Sequence, residues 1–164
     1  MTTELKGIGN LDDKARMNEL INFINIQLSD ENDPLALMSN ISSFIFSIIK
    51  DLNWAGFYLL KENQLVLGPF QGVPACTRLN LDKGVCAKAF REGKTIKVDN
   101  VHEFKDHIAC DSNSKSELVV PLFYDGRVYG VLDIDSPIEN RFTDIELEGF
   151  AKIGKIIEKA IYSK

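Results

Sequence analysis

The sequence lacks the features that would send a chain into or across a membrane. Met1 to Gly7 holds no apolar stretch of the secretory kind, so no signal peptide is expected. No apolar run approaches the roughly 18 residues of a membrane span. Basic side chains are in deficit: 19 Lys and Arg stand against 24 Asp and Glu, a net charge of −5. That balance argues against nucleic acid as a partner, because a phosphate backbone needs a dominant basic footprint. Cysteine is sparse and odd in number, at three residues. With no export signal, the expected location is the cytoplasm, whose thiol pool keeps cysteines reduced; a structural disulfide framework is not expected. The sequon Asn40-Ile41-Ser42 is then chemically idle.

Low-complexity stretches, fixed-period repeats and linkers are also missing. At 164 residues, and about 150 residues per domain, the chain is expected to be one domain over 1–164. Such a length buries roughly 70% of its unfolded surface and needs no metal or disulfide to fold. The apolar residues Met17, Leu20, Ile21, Ile24 and Leu28 recur at helical spacing over 11–28. Asp33-Pro34 opens a second helix, with Asp33 as N-cap and Pro34 at the first helical position. Its stripe is Leu37, Met38, Ile41, Phe44, Ile45 and Ile48. The N-terminal helices thus take up about 11–50. The apolar surface of the first would serve the core or a homodimer interface equally well.

Strand signals follow over about 53–136. Residues 54–60 and 65–70, split by a polar stretch, form an antiparallel hairpin. Residues 84–91 suggest a short helix and 95–98 a short strand. The polar segment 99–116, with both histidines and Cys110, is a long loop of the kind that often carries function. Residues 117–124 and 127–134 flank Asp125-Gly126, a strong hairpin turn. Thr143 and Glu146 fit a capping box for a closing helix over about 144–162, on Ile145, Phe150, Ile153, Ile157 and Ile161. The fold class is α+β, one antiparallel sheet with helices packed on it.

Several motifs are set aside. Gly93-Lys94-Thr95 lacks the earlier glycine of a P-loop, since position 88 is Lys. His102, His107 and Cys110 lack the paired spacing of zinc sites, so no metal is expected. What remains is thiols and acids. Cys86 sits at a predicted helix start, where positive potential stabilises a thiolate. Cys110 has Lys105 and His107 nearby to lower its pKa and Asp111 to oppose them. Cys76 and Cys110 lie in segments rich in Gly, Pro and polar residues, which are usually at the surface. Asp133 and Asp135 share one face of a strand. A turn at Asp125-Gly126 pairs residues whose numbers sum to about 251, which sets Glu117 near position 134 and near both aspartates. Clustered acids raise one another's pKa and can hold a proton or an ammonium group. Trp54 and Tyr58, on one face of their strand, offer an aromatic wall.

The blocks Asn53-Trp54-Ala55-Gly56-Phe57-Tyr58, Gly68-Pro69-Phe70-Gln71-Gly72, Ala75-Cys76, Gly84-Val85-Cys86, His107-Ile108-Ala109-Cys110-Asp111, Ser116-Glu117 and Leu132-Asp133-Ile134-Asp135-Ser136 closely resemble the GAF-domain free methionine-(R)-sulfoxide reductases. The resemblance implies a GAF fold with helices on one face of the sheet and a small-molecule pocket on the other. It implies free methionine-(R)-sulfoxide as substrate, Cys110 as catalytic cysteine, and Cys86 and Cys76 as its partners in disulfide formation. It also implies a substrate pocket of Trp54, Tyr58, Glu117, Asp133 and Asp135, a thioredoxin-type reductant and no bound cofactor. The alternatives are a non-catalytic GAF sensor of a small ligand and a thiol-based redox sensor; a ligand sensor has no need of the cysteine set.

Overall fold

The computed structural model describes residues 5, 7–105 and 111–162. His107 and Cys110 therefore lie outside the described residues. Among the described residues the first element is a 3-10 turn over Ile8–Asn10, followed by helices α1 (Asp13–Asp30) and α2 (Pro34–Ile48). Strands β1 (Trp54–Lys61), β2 (Gln64–Gly72) and β3 (Arg78–Leu79) follow, then helix α3 (Val85–Glu92) and strand β4 (Ile96–Val98). A 3-10 turn (Val101–Glu103), strands β5 (Ser116–Tyr124) and β6 (Arg127–Ser136), and helix α4 (Asp144–Tyr162) complete the series. Among the described residues no helix is long and apolar enough to cross a membrane.

Local chemistry sets the boundaries. Asp12 accepts a hydrogen bond from the Ala15 amide and Asp33 one from the Ala36 amide, so both helices start on an acid cap. Pro34 occupies the first position of α2. The Thr143 backbone amide donates to Glu146, the reach-back half of a capping box, while the Thr143 hydroxyl accepts from the Ile145 amide rather than from that of Glu146. The β1–β2 turn places Glu62 and Asn63 both at positive φ. That is the primed geometry whose twist matches two antiparallel strands.

All strand pairings are antiparallel, in the order β3-β2-β1-β6-β5-β4. Alternation along the strands sends side chains into two separate cores. Ala55, Phe57, Leu118, Val120, Leu122, Leu132 and Ile134 face α1, α2 and α4, where they meet Leu20, Ile24, Leu37, Ile41, Phe150 and Ile153. Each such fully buried side chain contributes roughly 1.5–3 kcal/mol. The apolar stripe of α1 is spent on this core, with Met17, Leu20, Ile21 and Ile24 buried. Ile145 departs from the expected α4 stripe and stays exposed, while Glu146 beside it is buried. On the opposite face Trp54, Tyr58, Val119 and Val131 pack with Leu79, Val85, Cys86, Ala89 and Val101. Here α3 covers the sheet as its one α-helix among the described residues, with Val101 and Phe104 beside it, and a cavity remains.

The β5–β6 hairpin carries one register shift, between Leu122 and Phe123. Near the turn Tyr124 pairs with Arg127 and Phe123 with Val128, as expected. Beyond it Leu122 pairs with Gly130, so Tyr129 is an extra residue on β6. The bulge moves Glu117 opposite Asp135 instead of Ile134. Directly paired residues share a face of the sheet. Without the bulge, Glu117 would share its face with Ile134 and point into the helical core.

Candidate active site

Three strands supply the floor of the cavity. Asp135 pairs with Trp54 on one side and Glu117 on the other; one step along, Asp133 pairs with Gly56 and Val119. Trp54, Tyr58, Glu117, Asp133 and Asp135 therefore converge on one face. Gly56 is required there. A Cβ at that position would stand 2.3 Å from the Phe70 Cβ and 2.7 Å from the Trp54 ring. The missing side chain lets Trp54 stack on Phe70 at 5.3 Å between ring centres, and on Tyr58 at 5.8 Å. The result is a rigid aromatic wall.

The cavity encloses about 520 Å³, counting the solvent at its mouth. Besides the five predicted residues it is lined by Cys86, Lys83, Asp111 and Ser114. The last three were not singled out from the sequence as pocket residues. Asp111 and Ser114 belong to the polar 99–116 loop, which was a signal; Lys83 carried none. Asn53 ties this loop down: its amide donates to Asp111 at 2.7 Å and to Ser114 at 2.9 Å. Tyr58 donates its hydroxyl to the Cys76 carbonyl at 2.9 Å, which fixes the β2–β3 loop at the rim. Cys76 is half-buried there and disulfide-bonded. Cys86 is the free cysteine among the described residues. His102 is exposed in its 3-10 turn and takes no part.

The electrostatics are set by burial of like charges. Glu117 and Asp133 are each only 6% exposed. Burial raises the Asp133 carboxyl to about 6, offset in part by the neighbouring Cys86 and Glu117 side chains. Burial, then the charges of Asp133 and Asp135, hold Glu117 well above the usual carboxylate range. Asp135 is raised by burial and by Asp133 and Asp111. Three carboxyls in this setting do not all ionise at neutral pH. Tyr58 is pushed up by burial and by Asp133, and stays a neutral donor.

Cys86 corrects the expectation of a helix-start thiolate. It does sit in the first turn of α3, yet it is 5% exposed and donates its Sγ–H to Glu117 Oε1 at 3.9 Å. Burial, then Asp133 and Glu117, raise its pKa well above the ordinary thiol value. The acids facing it outweigh the partial charge of the helix end. Two buried polar atoms on the wall, Trp54 Nε1 and Asp133 Oδ1, have no hydrogen-bond partner among the described residues. A buried donor and a buried acceptor in need of partners mark the cavity as the seat of a polar ligand.

A two-core sheet with one helix-covered face and one pocketed face defines a class, and the chain matches it. Residues 37–161 fit the family model for the GAF domain. A free methionine-R-sulfoxide reductase of Escherichia coli is 42% identical over 137 residues, covering 84% of this chain and 83% of that protein. Among solved structures, the free methionine-R-sulfoxide reductase of Neisseria meningitidis with its substrate superimposes at a TM-score of 0.89 with 40% identity, over 92% of this chain and 91% of that one. The fRMsr of Staphylococcus aureus in its reduced form does so at 0.82 with 45% identity, over 98% and 99%. The chain belongs to the GAF-domain family of free methionine-(R)-sulfoxide reductases.

Proposed function

We propose that the chain reduces free methionine-(R)-sulfoxide to methionine. The observation that carries this reading is the row of buried Glu117 and Asp133 and half-buried Asp135 beneath Trp54, at the rim of which Cys76 is disulfide-bonded. In this mechanism the Cys110 thiolate attacks the sulfoxide sulfur. Oxygen leaves sulfur only when protonated, and a carboxyl kept neutral by its neighbours supplies the proton. Methionine departs and the oxygen stays on Cys110 as sulfenic acid. That acid condenses with the Cys76 thiol, releasing water and forming a disulfide. We assign the resolving role to Cys76 over Cys86, because Cys76 is the one of the two found disulfide-bonded. A thioredoxin-type dithiol then takes the disulfide back to two thiols, itself becoming oxidised. No bound cofactor enters the cycle, and its reductant belongs to a reducing compartment such as the cytoplasm.

The remaining carboxylates hold the substrate ammonium. Methionine sulfoxide inside a peptide has no such group, and a buried polar site rejects an analogue lacking its partner by roughly 10⁴-fold or more. The aromatic wall receives the methylthio end. The test is reductant consumption with free methionine-(R)-sulfoxide, its S epimer and a sulfoxide peptide. Turnover is expected with the first alone. Cys110→Ser should abolish it while the fold persists; near-normal activity in that variant refutes the assignment.

A further inference from the structure

Cys86 and two of the acids can do something that sulfoxide chemistry does not ask of them. The Cys86 sulfur and one carboxylate oxygen each from Glu117 and Asp133 lie within 4.8 Å of one another. All three side chains are more than nine-tenths buried, and all three line the same cavity. Asp133 Oδ1, moreover, is a buried acceptor with no hydrogen-bond partner among the described residues.

We propose that Cys86, Glu117 and Asp133 bind one thiophilic divalent cation, of the zinc or cadmium type, on the floor of the cavity. A tetrahedral ion takes sulfur at about 2.3 Å and oxygen at roughly 2.0–2.2 Å, which sets the ligand atoms roughly 3.3–3.8 Å apart. The observed cluster closes to that spacing by side-chain rotation of about 1 Å. The donor set selects the metal: a sulfur with two oxygens suits a borderline or soft cation, whereas magnesium and calcium call for a shell of oxygens. The step is simple ligand exchange. The Cys86 thiol gives its proton to solvent, a sulfur–metal bond forms, and nothing is oxidised. Two positive charges among three carboxyls also relieve their mutual repulsion. An ion held there occupies the ground on which a ligand would meet the acid row, so it blocks the pocket reversibly. This inference does not depend on the reductase reading, since it concerns the free protein.

The test uses the whole chain with Cys76 in its disulfide, titrated with cadmium chloride. The readouts are the thiolate-to-cadmium charge-transfer band in the ultraviolet and the binding heat. The expected result is a band that saturates at one ion per chain and is lost in Cys86→Ala. Cys86→Ser, which keeps a small polar side chain, should lack it too. Asp133→Asn should keep the band and bind about tenfold or more weakly. A band that survives both Cys86 variants, or an affinity unchanged in Asp133→Asn, overturns the assignment.

Discussion

Asp133→Asn should make the protein more stable at neutral pH while it disables the site. Asp133 is buried, and its carboxyl is raised from 3.8 to about 6. At about 1.36 kcal/mol for each pH unit, holding that charge in the fold costs roughly 3 kcal/mol. The sign follows from where the proton sits. Below about pH 4 the folded and unfolded chains both carry it, and the group costs nothing. Between about 4 and 6 the unfolded carboxyl ionises first while the folded one keeps its proton, so stability falls as pH rises. Above about 6 the penalty is complete. Asparagine never ionises. It also removes a charge that raises Glu117, Asp135 and Cys86. Its amide must still be satisfied among the same neighbours, and an imperfect fit there returns about 1 kcal/mol or more. We expect a net gain of roughly 1–3 kcal/mol at pH 7.5 and no gain near pH 4. Urea unfolding of both proteins from pH 4 to 8, under reductant, measures the difference directly. A difference that stays flat with pH, or a variant less stable than the parent at pH 7.5, refutes the account of the buried acids.

Other expectations can be checked with the same tools. Gly56→Ala should cost about 3 kcal/mol or more and shift the tryptophan emission of Trp54, because the new methyl meets Phe70 and Trp54 well inside contact distance; a variant with the parent's unfolding midpoint would show that the wall yields freely. Asp33→Ala should cost about 1 kcal/mol by removing the cap on Ala36, with turnover unchanged; the urea midpoint reads it. Cys76→Ser should leave one burst of methionine formation but stop steady-state turnover with thioredoxin. A variant that cycles at the parent's rate transfers the resolving role to Cys86.

The elements were legible in the sequence wherever the deciding chemistry was local. Asp33-Pro34, the Thr143 and Glu146 pair, and Asp125-Gly126 each fix a boundary with residues a few positions apart, and each appears at its place. The two aspartates of β6 were legible for the same reason, since alternation alone puts them on one face. Glu117 was harder. Counting back from the turn gave the right neighbourhood, near both aspartates, but a partner one position off, because one extra residue at Tyr129 changes the register beyond it. No turn signal marks that bulge. Its necessity shows only when three acids and Trp54 are seen to need the same side of the sheet. The Cys86 environment failed in a related way. A helix start is a local feature and argues for a thiolate, whereas the carboxyls that reverse it arrive from β5 and β6, some thirty and fifty residues onward. Local signals therefore drew the scaffold, and long-range juxtaposition set the protonation of the site. It follows that a deletion at the bulge, far from any reacting atom, acts on the chemistry as directly as a substitution in the pocket: deleting Tyr129 would set Glu117 opposite Ile134, facing the helical core, and leave Asp133 and Asp135 without their third carboxyl.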